Sequence, residues 1–556
     1  MQQDKRWETT LPDRPFDQFR VIKLAASAGC GKTFVIERTI NDLLARGTPP
    51  DAIMYVVFNK KPAVEFRSKF LHLTKDETRW WETHHSINLR LIKNNPLFKS
   101  IEVMGDRGKH WDAFTEQYGY EFGEDEDGEE AEGRRLRNLV SSKLYRNVAV
   151  EDMEEDECLF YERLCSYEAK NKALSFISMM MLSLSMDMFP AGVEYVFVDE
   201  AQDNGPVQNN YWIRMLEQHP EIKGFVLAGD DKQAINRFKG GDAEGFLSFP
   251  SDLNVSLGAS YRCPLPVLNL ANSIAGPITR RSPLVFESKA EASGSVSYAP
   301  QFHMTIDEIK ENIRDRKTTL ILSRTKRVAG AARGRYASTG LPLQSEIADR
   351  IRRVYRSFID MKASGQITLQ DFDILNPNRS PSVRPVDGEL KISCSYIDQA
   401  ARKQEIKKMR ESELSASQQS FLEQADENSA FPIPLHEAES VGLTTELIRD
   451  VLSGDGPNPA YFYGGEKAAK MAEAVALWVD AFGPDYVPAQ ITHIHKIKGS
   501  EARLVVLLTD IGKKMIKVER EEEDDERRVW YTGVTRSLDR VIVTKLNRDS
   551  DVTRFL

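Results

Sequence analysis

The residues Ala26, Ser27, Ala28, Gly29, Cys30, Gly31, Lys32 and Thr33 stand between the apolar run VIKLA and the segment FVIERTINDLL, whose apolar residues recur at helical spacing. Two glycines in so short a loop let the backbone bend with its N–H groups turned inward, which makes a nest for phosphate oxygens at a helix N-terminus. At this spacing Lys32 reaches the β- and γ-phosphates of a nucleotide and the Thr33 hydroxyl binds Mg2+. The strict pattern has glycine where this chain has Ala26, yet strand, loop and helix occur in the required order.

A second cluster is YVFVDEAQD, residues 195–203, where a buried strand ends in consecutive carboxylates. Asp199 at the strand end is placed to hold Mg2+ through water, and Glu200 to orient and deprotonate an attacking water. A third is VLAGDDKQAINRFKGG, residues 226–241, again a strand followed by a polar loop. There Gln233 is placed to sense a γ-phosphate, and Phe238 to stack on a base, since every base offers a π-face. Two phosphate-handling segments in this order point to hydrolysis of a nucleoside triphosphate.

These loops need strands to aim them. Short β-branched runs followed by amphipathic segments recur, as in AIMYVVF then KPAVEFRSKFLHL, the pattern of a parallel sheet covered by helices. The alternation stops at about residue 86, resumes at Val193, and returns in TTLILSR, ARLVVLLTDI and DRVIVTKL. The expected organisation is two α/β domains, residues 1–85 with 191–258 and residues 259–345 with 486–556. Each carries a mainly helical insertion, residues 86–190 and 346–485.

At 556 residues the chain is too long for one core. Its net charge of −9 argues against coating nucleic acid through bulk charge, but leaves room for a local basic groove. Five cysteines without paired CxxC spacing argue against a disulfide framework or structural zinc. No apolar stretch reads as a membrane span or a secretory signal, so a cytoplasmic protein of a bacterial or phage-infected cell is expected. The basic stretch ARKQEIKKMRESE reads first as a solvated face.

The segments ASAGCGKT, VFNKKPAVEF, THHSINLRL, VDEAQD, GDDKQAINRFKGG, SYRCPLPVLNLAN, HIHKIKGSE and ERRVWYTGVTRSLDRVIVT resemble the ordered motif series of the UvrD/Rep-like superfamily 1 DNA helicases. The resemblance implies two RecA-like P-loop domains with ATP in the cleft between them and single-stranded DNA across their top. By position it implies that Tyr261 stacks near the adenine and that Glu501 contacts the ribose. It also implies that Arg262 and Arg536 approach the γ-phosphate, coupling hydrolysis to domain closure. Phe58, Asn59, Lys60, His84, Phe238 and His495 fall where family members touch DNA, and Phe238 stands in place of the family's usual tryptophan. With twelve residues after VIVT, the nuclease domain fused to some relatives is not expected here.

The resulting expectation is an ATP- and Mg2+-dependent DNA helicase that translocates 3'-to-5' on single strands and unwinds duplex. Single strands and single/double-strand junctions are the expected partners, with replication or repair proteins beside them and no membrane. Two alternatives remain open from the sequence: a translocase that displaces proteins without robust unwinding, and a nucleotide-switched interaction protein.

Overall fold

A computed structural model describes residues 7–105, 108–122, 131–237, 240–339, 341, 343–344 and 346–368. It also describes strands at 380–386, 389–395 and 432–434, positions 475, 479, 481–483 and 486, and residues 489–497, 499–510 and 520–546. The chain divides into two compact units, one of Met1–Thr305, Leu322–Gly330 and Thr492–Leu556, the other of Ile306–Ile321 and Ala331–Ile491.

The first unit opens with β1 (Trp7–Glu8), β2 (Val21–Ala25), β3 (Ile53–Val57) and β4 (Trp81–Thr83). Helix α1 (Lys32–Ala45) follows β2, and α2 (Lys60–Arg67) follows β3. The helices α3 (His84–Asn94), α4 (Lys109–Tyr118), α5 (Glu132–Tyr145), α6 (Glu155–Asn171) and α7 (Phe176–Ser185) come next, with the short parallel pair β5 (Glu102–Met104) and β6 (Ala173–Ser175). Then β7 (Tyr195–Val198), α8 (Pro206–Gln218), β8 (Gly224–Gly229) and β9 (Leu253–Ser256) return to the sheet. Its order is β1-β9-β2-β8-β7-β3-β4, and every pairing is parallel.

Strands covered by helices on both faces must be apolar on both faces, which is why VIKLA, IMYVV and YVFV read as near-continuous apolar runs rather than alternating ones. Ile22, Leu24, Ile53, Val196, Phe197 and Leu227 form the centre of this core. Helix α1 closes one side of it with Ile36, Ile40 and Leu43, spaced to lie on one face. The helices between β4 and β7 have a core of their own, built on Trp111, Phe114, Leu136, Phe160 and Tyr167. Truncating one of its large aromatics would cost about 3–5 kcal/mol.

The same unit contains a second parallel group, Ser295–Tyr298, Ser537–Thr544 and Ala502–Leu508. The helix Arg520–Val534 precedes Ser537–Thr544 and buries Trp530, Tyr531 and Val534. The expected α/β architecture, parallel sheets flanked by helices, is therefore present. In the second unit, helix Ile306–Arg314 buries Ile309 and Ile313, and Ser380–Val386 pairs antiparallel with Glu389–Ser395. The basic stretch at 401–413 lies outside the described residues. Among the described residues no helix is long and apolar enough to cross a membrane, and Cys30, Cys158, Cys165 and Cys263 are free thiols.

Candidate nucleotide site and nucleic-acid surface

Where β2 ends, the chain turns through Gly29 at φ 72° and Gly31 at φ 81°, and α1 begins at Lys32. These left-handed angles suit glycine. A Cβ on Gly29 would also run into the Cβ of Arg262, so this glycine is required for close approach as well as for its angle. The loop is tied down on every side. Ala26 N–H donates to Gly229 O at 2.9 Å, the Ser260 hydroxyl donates to Ala28 O at 2.8 Å, and Tyr261 N–H donates to Gly29 O at 2.9 Å. Cys30 is buried; burial first, and Asp230 second, push its thiol up to about 12, so it packs as a neutral group.

Lys32 reaches both carboxylates of the second cluster, with Nζ 3.0 Å from Asp199 Oδ1 and 2.6 Å from Glu200 Oε1. Burial works against its charge, but Asp199 and Glu200 outweigh that and raise its pKa, so it stays cationic. The Thr33 hydroxyl lies 3.4 Å from Asp199 Oδ2. A hydroxyl and a carboxylate side by side are the hard oxygen donors that suit Mg2+, and the glycine nest beside them suits phosphate, so the residues present fit a magnesium nucleotide. Glu200 sits at φ 57°, a left-handed angle that costs a non-glycine residue energy and marks a held position.

Gln202 ties the clusters together. Its amide nitrogen donates to Glu200 Oε2 at 2.7 Å, and its carbonyl accepts from Asp230 N–H at 3.0 Å. One turn on, Gln233 donates to Asp230 Oδ2 at 2.6 Å, and its carbonyl accepts from Arg536 Nη2. Arg536 is almost wholly buried, and burial first and repulsion from Arg262 second pull its guanidinium down to about 10. Two mutually repelling cations beside a phosphate nest are relieved when a polyanion binds between them. Arg262 itself pairs with Glu501 at 2.8 Å. Tyr261 is 62% exposed, with Lys289 Nζ 5.8 Å from its ring centroid.

The residues expected to touch DNA are less unified. Asn59 and Lys60 are exposed at the start of α2, and His495 is half-buried near His493. Phe238 lies outside the described residues. His84 is corrected by the structure: it is only 4% exposed, stacks on Trp212 with centroids 4.9 Å apart, and is a core group rather than a contact surface. Burial pulls its pKa down to about 3, so it is neutral. The cause is helical geometry, since successive residues of α3 point about 100° apart and only one of two adjacent histidines can face outward. His85 is half-buried instead, with Nε2 2.7 Å from the Tyr145 hydroxyl. With Phe58, Phe176 and Tyr145 it lines a cavity of about 570 Å3 edged by Arg134 and Arg137.

Sequence reasoning missed Gln202, His85 and Tyr55. Gln202 follows Glu200 by two residues in VDEAQD, a spacing that a tight turn brings back onto the carboxylate. Tyr55 is the single hydroxyl-bearing residue in IMYVV, and a buried phenol must find a partner.

A glycine-bearing loop followed by a helix, a lysine between two strand-end carboxylates and arginines converging from distant segments are the features of a P-loop on a parallel α/β sheet, and they mark the candidate nucleotide site. Residues 18–254 match the family of the UvrD/REP helicase N-terminal domain. It is similar to an ATP-dependent DNA helicase PcrA from Staphylococcus epidermidis, 24% identical over 290 residues that cover 47% of this chain and 38% of that protein. A PcrA from Staphylococcus aureus is 23% identical over 290 residues with the same coverage. The matched stretch is thus well under half the length of these relatives.

Proposed function

We propose that the protein is an ATP-driven motor that translocates 3'-to-5' on single-stranded DNA and separates duplex ahead of it. The observation that carries this is the convergence of Arg262 and Arg536 on the loop that holds Lys32, because arginines brought from far along the chain make hydrolysis depend on the conformation of the whole unit. The similarity to proteins named as ATP-dependent DNA helicases supplies the substrate classes.

In this reading the loop N–H groups of residues 26–33 and Lys32 cradle the triphosphate of ATP, while Tyr261 stacks on the adenine. Thr33 and Asp199 would hold Mg2+, which when bound neutralises charge growing on the phosphate oxygens. Glu200 orients a water whose oxygen attacks the γ-phosphorus as the bond to the bridging oxygen breaks, and the water's proton passes to Glu200. Arg262, Arg536 and Gln233 stabilise the charge on the transferring phosphoryl group. The DNA strand follows Phe58, Asn59 and Lys60 toward the aromatic cavity, with His495 and Phe238 as further contacts.

The test is ATP hydrolysis with and without single-stranded DNA, RNA and duplex across a salt series, beside strand displacement on 3'- and 5'-tailed duplexes. Stimulation by single-stranded DNA that fades as salt rises is expected, with displacement from the 3' tail. Hydrolysis indifferent to DNA would overturn the motor, and stimulation without displacement would reduce it to a translocase.

A further inference from the structure

Tyr55 lies in the middle of β3 and is 1% exposed. Its hydroxyl donates to Asp199 Oδ2 at 3.1 Å. The same carboxylate has Lys32 3.0 Å from Oδ1, accepts the Glu200 N–H on Oδ1 at 2.8 Å, and has the Thr33 hydroxyl 3.4 Å from Oδ2. Tyr55 is therefore the nearer of two neutral donors on the second oxygen, and the one that reaches it from within the sheet. Its ring cannot swing away, because it stacks on Phe66 of α2 with centroids 3.8 Å apart and planes 17° apart. Phe66 is in turn packed by Phe70 and Trp81.

We propose that Tyr55 is a positioning residue of the nucleotide site, setting the rotamer of the Asp199 carboxylate so that one oxygen faces the Thr33 hydroxyl across the place a magnesium nucleotide would take. This rests on the reading of that site given above. Groups that orient a metal-binding carboxylate from behind tune affinity by their hydrogen bond rather than by contact with the substrate. The phenol suits the task, since it adds a donor beside a crowded acidic pair without adding charge.

The experiment measures binding of a fluorescent, non-hydrolysable ATP analogue to the full chain as MgCl2 is raised, and again in EDTA. Tyr55→Phe keeps the ring stack and removes only the hydroxyl. It is expected to raise the Mg2+ midpoint about 10- to 100-fold while leaving affinity in EDTA unchanged. Added to Asp199→Asn it should change nothing further, since the carboxylate it orients is gone. A merely structural phenol would move both affinities together or neither. A Tyr55→Phe midpoint equal to that of the unaltered chain overturns the proposal, as does an equal loss in EDTA. If the unaltered chain binds the analogue with no Mg2+ dependence at all, the nucleotide-site reading itself fails, a distinct result.

Discussion

The candidate nucleotide loop follows β2 and the proposed DNA surface follows β3 of the same sheet, yet the structure treats them differently. Around the loop, Lys32, Asp199, Glu200, Gln202, Gln233 and Arg536 are joined by short hydrogen bonds and are mostly shielded from water. On the proposed DNA side, Asn59 and Lys60 stand exposed, Phe58 edges a cavity, and His84 has turned into the core. A pentavalent phosphoryl group demands fixed donors, whereas a sliding strand needs contacts that are individually weak and replaceable. The difference predicts steep losses on one side and shallow ones on the other.

The largest effect should come from Arg536→Ala. It removes the cation that the proposed mechanism aims at the transferring group, and kcat for ATP should fall about 1,000-fold or more, while nucleotide binding survives. Lys32→Ala should follow, with a loss of about 100- to 1,000-fold in DNA-stimulated hydrolysis. Circular dichroism should show both variants folded. A Lys32→Ala protein hydrolysing at the normal rate would erase the contrast between the two regions.

On the DNA side the expected losses are smaller. Phe58→Ala should raise the DNA concentration that half-activates hydrolysis about 5- to 150-fold, the worth of one stacked base, and leave DNA-free hydrolysis unchanged. An unaltered half-activation would remove Phe58 from the strand's path.

Legibility in the sequence divides along the same line. The loop, the carboxylate pair and the α/β alternation could be read because their spacing is dictated by backbone geometry: a phosphate nest needs its glycines and lysine in one short run. The partners Gln202 and Tyr55 were not read, since each also reaches a group distant in sequence, Gln202 the Asp230 N–H after β8 and Tyr55 the Asp199 carboxylate after β7. His84 and His85 were exchanged for a related reason. Both follow the cap residue Thr83, and only the packing of Tyr211 and Trp212 against α3 decides which one is covered. Glu501 was assigned to the ribose, and the structure sets it on Arg262.

The buried histidine gives a pH test of the comparison. His84 has a folded pKa near 3 against an ordinary value of 6.5, so the unfolded chain binds a proton that the folded chain refuses. Its neutral packing supports the fold fully above about pH 6.5, and that support is lost as pH falls toward 3. Going from pH 7 to pH 5 should cost about 2 kcal/mol of stability through this group. Urea denaturation at the two values should show that loss shrinking in His84→Phe. A His84→Phe variant that keeps the full pH dependence but loses DNA affinity would return this residue to the DNA surface.

The smallest effect separates two roles for Glu501. Its pair with Arg262 is largely solvent-accessible, worth about 0.2–1 kcal/mol, so Glu501→Gln should leave thermal stability nearly unchanged. If Glu501 acts by holding Arg262, the variant should alter hydrolysis of ATP and 2'-deoxy-ATP by the same factor, up to about fivefold. If it acts on the ribose hydroxyls, the unaltered protein should favour ATP and the variant should lose that preference. Because Arg262 presses against Gly29 as well as Glu501, releasing the carboxylate still leaves the guanidinium stem anchored over the loop. The equal-factor outcome is therefore expected, and a selective loss of ATP preference would shift Glu501 from the arginine to the nucleotide.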